Sequence, residues 1–194
     1  MKRILGMVCA LAVCSSVFAA EQVINGGAEN WTGSVPDGWM TDNIDAAGTV
    51  NATPGAFVIS QTNAVVHSGT SAIQMVNAAS QWTYRYGIHT NSFQIAGWSP
   101  TKAVSAWLYT NSSTANTRIA RGFFSGGKWQ VETTNQVAVA AANAWQNVGT
   151  SSWDLSTYPT RVSIHVINGP AITYIDDVSV DGTVPVGVSS FVIE

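Results

Sequence analysis

Two adjacent carboxylates, Asp176 and Asp177, sit inside the run Ile172-Thr173-Tyr174-Ile175-Asp176-Asp177-Val178-Ser179-Val180, which otherwise reads as a β-strand. Successive strand residues point to opposite faces, so one of the two shares a face with the apolar set Ile172, Tyr174, Val178 and Val180. That one is Asp176. A carboxylate turned toward a core is costly unless a cation or strong hydrogen-bond donors meet it. Two readings of Asp176 stand: a bound metal ion beside it, or backbone N–H groups donating to it. Asp177, on the opposite face, is expected in solvent.

The other acids form no obvious working pair. Asp37, Asp42, Asp45 and Asp154 fall in turn-like segments, and Glu132 lies mid-strand without an acidic partner. Glycoside hydrolysis needs two carboxylates across a cleft. No G-x-S-x-G, H-E-x-x-H or phosphate-loop pattern occurs, and the three histidines form no evident triad. The two cysteines, Cys9 and Cys14, lie within the first 20 residues, which removes thiol chemistry and disulfides from the rest of the chain.

Those first residues read as an address. Lys2 and Arg3 precede the apolar stretch from Ile4 to Val13, and small residues lead to Ala19 and Ala20. This is the pattern of a secretory signal over 1–20, too short to span a bilayer, and it places the mature chain outside the cytoplasm, extracellular or periplasmic. Bulky Val13 before Cys14 makes lipoprotein anchoring at Cys14 the lesser reading. Without Lys2 and Arg3, six basic residues face eleven acidic ones. That balance argues against a nucleic-acid partner or an anionic membrane surface, and no second apolar stretch predicts membrane insertion. Only 10% of residues are charged, against roughly 25% in ordinary soluble domains, so Ser, Thr, Asn and Gly supply the surface. The mature chain of about 175 residues is ample for one core and is expected to act as a monomer.

The elements that must position these residues are strands. Short β-branched and aromatic runs, separated by Gly, Pro, Asn and Ser, predict strands at 22–25, 55–61, 71–77, 82–89, 92–96, 102–110, 117–124, 128–133, 145–150, 161–167 and 172–180. No long helix is expected, and Val137 to Ala144 reads as a loop. The pattern predicts an all-β fold, an antiparallel β-sandwich or jelly roll, as a single domain over 21–182 with a tail at 183–194.

Three pieces recur in an order with a meaning: Val23-Ile24-Asn25-Gly26-Gly27-Ala28-Glu29-Asn30 with Pro36-Asp37-Gly38-Trp39, then Val65-Val66-His67-Ser68-Gly69-Thr70-Ser71, then Tyr174-Ile175-Asp176-Asp177-Val178. The ordered set resembles the carbohydrate-binding modules of the galactose-binding-like jelly-roll superfamily, those of families 4, 9 and 22, over about Val23 to Val180. The resemblance implies a structural calcium ion joining the N-terminal segment to the last strand. Glu29 and Asp176 would supply side-chain oxygens, and backbone carbonyls would come from Asn25 to Gly27 and from Thr70 and Ser71. Calcium's preference for six to eight oxygens suits such a set. This chain has Ala28 where the family usually carries a larger apolar residue.

The resemblance also implies non-catalytic binding of a polysaccharide or oligosaccharide, in a groove across one sheet or at the loop ends. Alternation turns Trp107 and Tyr109 outward from Val104, Ala106 and Leu108, and turns Arg161, Ser163 and His165 outward from Val162, Ile164 and Val166. Around Arg121 the sequence leaves open which set faces inward. Trp107, Tyr109, Arg121 and His165 are therefore candidates for one aromatic and polar platform, with packing under a loop as the alternative for each. Trp82 and Tyr84 are further candidates on their strand, while Trp39 and Trp145 are expected to be structural and His67 to be plain surface. Two alternatives accompany this reading. One is a secreted structural or adhesion β-sandwich without sugar binding. The other is a jelly-roll polysaccharide lyase, in which Arg121 neutralises a uronate and Tyr109 or His165 moves the proton.

Overall fold

The computed structural model describes residues 22–41, 57–77, 87–95, 103–113, 117–132, 135–166 and 170–180. The segment 1–20 expected to be a signal, the candidates Trp82 and Tyr84, and the expected tail 183–194 lie outside the described residues. Eleven strands and no helix occur among them: β1 (Met40–Thr41), β2 (Phe57–Thr62), β3 (Ala72–Asn77), β4 (Gly87–His89), β5 (Val104–Thr110), β6 (Thr117–Ser125), β7 (Lys128–Val131), β8 (Val137–Ala138), β9 (Gln146–Thr150), β10 (Thr160–Val166) and β11 (Ala171–Val180). The first sheet has the order β1-β4-β10-β6-β7, with β8 on β6, and the second has the order β2-β3-β11-β5-β9. All pairs are antiparallel. From β3 onward the chain passes back and forth between the sheets, which is the jelly-roll sandwich expected from the strand pattern.

Alternation drives this arrangement. Along β5, Val104, Ala106, Leu108 and Thr110 are buried while Ser105, Trp107 and Tyr109 are half-buried on the outer face. The inward residues join Ile73 and Met75 of β3 and Ile175 of β11, and meet Ile88, Ile119, Val162 and Ile164 of the opposite sheet. Each such aliphatic side chain contributes roughly 1.5–3 kcal/mol on burial, so this apolar layer carries the fold. Trp153 and Leu155, from the segment after β9, are also fully buried, and Trp39 closes one end with its indole N–H on the Ile24 and Asn25 carbonyls, both 3.1 Å away.

Several local expectations are corrected. Residues 22–25 form a turn rather than a strand, because Asn25 and Ala28 adopt positive φ and the Asn25 side-chain oxygen accepts the Glu29 and Asn30 N–H groups. The described part of the expected strand 92–96, residues 92–95, holds one bridge between Phe93 and Thr160, whereas Val137–Ala138, expected in a loop, pairs with β6. β10 is buried on both faces, so His165, expected outward and accessible, is only 2% exposed. The last concerns β11. Asp176 lies opposite Trp107 and Ser179 opposite Ser105, so one extra residue is inserted as a bulge, with Asp177 at φ 46°. Before the bulge Thr173 and Ile175 face the core, and after it Val178 and Val180 do. Asp176 therefore shares the outer face with Tyr174 and Trp107, and Asp177 is 4% exposed instead of solvated.

Candidate functional site

The outer face of the second sheet carries a row of polar and aromatic side chains across four strands. Ser60 lies opposite Gln74, Gln74 opposite Tyr174, and Tyr174 opposite Tyr109. Ser60 Oγ donates to Gln74 Oε1 at 3.1 Å, and Gln74 Nε2 donates to Tyr174 Oη at 3.3 Å. Tyr174 and Tyr109 meet edge to face at 5.5 Å, and Tyr109 meets Trp145 in the same way at 5.9 Å. All five side chains are half-buried. An aliphatic row of Val58, Val76 and Ile172 runs alongside, with Val58 51% exposed. Amide, phenol and indole groups beside aliphatic ridges are the types that hold a pyranose by its C–H face and its hydroxyls.

Trp107 and Tyr109 thus point outward, as alternation predicts, but they differ in availability. His67 stacks on Trp107 with ring centroids 3.7 Å apart and planes 16° apart, so one face of that indole is taken. Tyr174, Gln74, Ser60, Trp145 and His67 join this surface although none was a sequence candidate. The Ala72-Ile73-Gln74-Met75 alternation marks Gln74 as outward. Tyr174 was hidden because its face can be assigned only once the bulge is known.

Beside Trp107 lies a knot of carboxylates. Asp176 Oδ2 accepts the His67 and Ser68 N–H groups at 2.9 and 3.1 Å, and its Oδ1 accepts the Asp177 N–H at 2.8 Å. Asp177 Oδ2 is 2.6 Å from His67 Nδ1, and its Oδ1 accepts the Ser68 hydroxyl at 2.8 Å. Glu29 accepts the Thr70 N–H at 2.9 Å and the Thr70 hydroxyl at 2.5 Å. The Ser71 hydroxyl donates to the Ala28 carbonyl and the Val178 N–H to the Gly26 carbonyl. The segment 67–71 is thereby clamped between the N-terminal turn and β11. Burial pushes the Asp176 carboxyl up to about 6, against the pull of the Ser68 and His67 N–H groups, and the Asp177 charge adds to the rise.

The calcium ligand set implied by resemblance meets this knot only in part. Glu29 and Asp176 reach the same loop from two sides, yet Glu29 meets Thr70 while Asp176 meets His67 and Ser68. The Asn25 carbonyl is occupied by the Ala28 N–H and the Trp39 indole, and the Ser71 hydroxyl points at Ala28. Among the described residues no group of three or more His, Cys, Asp and Glu side chains is arranged to hold a metal ion. The donor types and the charge nevertheless suit a hard cation. Asp177 Oδ1 and Glu29 Cγ lie 3.7 and 3.9 Å from where a Cβ on Gly27 would stand. Asp177 and the Glu29 side chain thus lie near this turn, with Asp176 on the neighbouring loop, and no ion pair from lysine or arginine reaches the three among the described residues.

Arg121 and His165 belong to the other sheet, so the expected platform with Trp107 and Tyr109 does not form. Arg121 lies opposite Val162 on the face turned toward the core, donates to the Asp154 carbonyl, and pairs with Glu132 at 3.0 Å. His165, opposite Arg118 on the far face, packs edge-on to His89 at 5.5 Å. His89 Nδ1 is 2.6 Å from Ser163 Oγ, and burial, reinforced by the Arg161 guanidinium, holds its imidazole well below the usual histidine range. Arg161 lies 4.4 Å over Trp129. The three groups needed for uronate proton abstraction, Arg121, Tyr109 and His165, therefore occupy three different faces of the sandwich.

Known proteins share this architecture at low sequence similarity. No family model and no curated protein matches the sequence. Among solved structures, the C-terminal family 22 carbohydrate-binding module of Clostridium thermocellum Xyn10B superposes with a TM-score of 0.56 at 15% identity, covering 86% of this chain and 99% of that one. The CBM22-1 xylan-binding domain of Paenibacillus barcinonensis Xyn10C gives 0.53 at 13% identity, over 80% and 90% of the two chains. The enzymatically active domain of tailspike protein 4 of bacteriophage CBA120 also gives 0.53, at 9% identity, over 82% of this chain and 21% of that one. At such identities the likeness is one of fold, which different functions can share. The chain shares its antiparallel β-sandwich, jelly-roll fold with these solved structures.

Proposed function

We propose that the chain is a secreted, monomeric module that binds a polysaccharide or oligosaccharide without catalysis, on the outer face of the second sheet. The observation that carries this reading is the half-buried, hydrogen-bonded row Ser60, Gln74, Tyr174 and Tyr109, ending against Trp145. Its residues are held by neighbouring strands and by one another, so little side-chain freedom is lost when a sugar docks. The structural neighbours named for sugar binding, one of them xylan-binding, support the class of ligand. Glu132, expected mid-strand but lying just past the end of β7, is engaged by Arg121, which supports the non-catalytic reading.

Calcium belongs to the same proposal as a structural ion. Glu29, Asp176 and Asp177 would hold it by carboxylate oxygens, replacing part of their present hydrogen bonding, and the ion would offset the charge that these carboxylates bring together.

Affinity electrophoresis against a panel of polysaccharides tests the site. Retardation by at least one glycan is expected, with Tyr109→Ala and Tyr174→Ala each weakening it roughly tenfold, or ~1.4 kcal/mol. Retardation untouched by both substitutions but lost in Trp129→Ala would move the site to the first sheet. No retardation by any glycan would leave the structural or adhesion alternative.

A further inference from the structure

Beside β2 the structure holds a cavity of about 510 Å³ between the loop 31–34 and residues 59–61. β2 ends its sheet, and among the described residues no strand pairs with its other edge. An edge strand presents backbone N–H and C=O groups outward, and here three consecutive β2 residues line a cavity. The side chains around it are an indole from Trp31, hydroxyls from Thr32, Ser34 and Ser60, the Gln61 amide and the aliphatic Ile59. None is charged.

The wall opposite β2 is fixed before any ligand arrives. The Thr32 N–H and hydroxyl both donate to Asp37 Oδ1, at 2.8 and 2.6 Å, and the Asp37 N–H donates to the Asn30 carbonyl at 2.9 Å. Trp31 bridges to Pro36, and its indole N–H is committed to the Ala28 carbonyl at 2.7 Å. With that N–H spent, Trp31 offers the cavity its aromatic ring. A rigid aromatic wall facing hydroxyls, an amide and strand-edge backbone groups has the chemistry of a sugar site, and no cation lines it among the described residues, which disfavours an anionic sugar.

Ser60 belongs both to this cavity and to the row that leads through Gln74 and Tyr174 to Tyr109. Three strand spacings separate Ser60 from Tyr109, about 14 Å, a span that a chain of several sugar rings covers and one ring does not. We infer that the cavity beside Trp31 is an additional subsite that takes one ring of an uncharged glycan chain lying across the second sheet; this rests on the sugar-binding function proposed above. The ligand class follows: a neutral chain, bound more tightly as it lengthens from the tyrosine row into the cavity.

Calorimetry on the full chain with short and long neutral oligosaccharides (xylo-, cello- and galacto-series) and with oligouronates tests this. Two variants probe the cavity. Trp31→Ala removes its wall. Gly33→Leu adds bulk where a Cβ meets no atom within 4 Å and φ is ordinary, so the loop should keep its shape. Both are expected to weaken the long neutral oligosaccharides roughly tenfold and to leave the short ones, held by the tyrosine row, unchanged. Tyr109→Ala should weaken both lengths. If Tyr109→Ala weakens binding while Trp31→Ala and Gly33→Leu change nothing at any length, the cavity is no subsite and the sheet reading survives. If only the cavity variants matter, the subsite stands and the sheet reading falls. Equal affinity for oligouronates overturns the neutral-ligand assignment, and no binding of any oligosaccharide overturns both readings.

Discussion

Asp176 pays a desolvation cost that its three N–H partners offset only in part, which is why its carboxyl sits near 6 rather than 3.8. A folded-state value above the unfolded one means the folded chain prefers the proton. The associated stability is present below about pH 3.8 and is lost as pH rises toward about 6. At 1.36 kcal/mol per unit, the loss in metal-free protein is bounded at ~3 kcal/mol. A cation on the same oxygens would hold the carboxylate ionised and cancel the loss. Thermal melts between pH 4 and pH 7, in chelator and in calcium, should therefore separate. In chelator the wild type should lose stability relative to Asp176→Asn across that window, and in calcium it should gain. Melts indifferent to calcium and chelator at every pH would remove the ion and leave the hydrogen bonds as the whole clasp. Gly69 makes a second residue-scale case. Its φ is 66°, and a Cβ there would lie 1.9 Å from Glu29 Oε1. Gly69→Ala should cost ~2 kcal/mol or more, since it strains the left-handed turn and displaces the carboxylate that holds Thr70. A melting temperature within a degree of wild type would show that Glu29 is not needed to fix this loop.

At the scale of elements, what the sequence reveals depends on whether a strand obeys its period. β5 alternates without interruption, so its core set and the outward Trp107 and Tyr109 are legible from spacing alone. β11 hides a bulge at the aspartate pair, and past an inserted residue the period restarts on the other face. That single residue inverts the reading of Tyr174 and Asp176 and buries Asp177. β10 hides something else: its polar residues alternate as an outer face should, yet that face is buried, and burial of an outer face depends on what the rest of the chain lays over it. His89, which meets Ser163 there, gives the consequence a measurable form. Its depressed folded-state pKa keeps the imidazole neutral, while the unfolded chain takes a proton below about 6.5, so stability is lost as pH falls from there. His89→Gln, which can still bond Ser163, should flatten the decline in melting temperature between about pH 6.5 and pH 5. An unchanged slope would show that His89 is charged in the folded protein.

For the whole molecule, fold and site were legible to different depths because they depend on different things. The sandwich follows from many short strands, each of which contributes a little evidence, so losing 22–25 and 92–96 as strands costs the architecture nothing. The binding surface depends on which strands become neighbours, and Tyr109 came to lie beside Tyr174 rather than Arg121 through a pairing of β5 with β11 that spacing does not encode. That pairing also decides the charge of the surface. Of the basic side chains described, Arg121 is paired with Glu132, Arg118 donates to Gln136, Arg161 lies over Trp129 and Lys128 stands on β7, none of them on the second sheet. The chain as a whole carries a formal net charge of −3. An anionic polymer would be repelled at long range and would find no cation on the tyrosine row among the described residues, whereas a neutral chain is indifferent to both. Binding should therefore vary less than about twofold between low salt and 0.5 M salt, where the Debye length falls to roughly 4 Å and exposed charges are screened. A steep weakening with salt would identify an anionic ligand held by arginine, and with it the first sheet as the place where it binds.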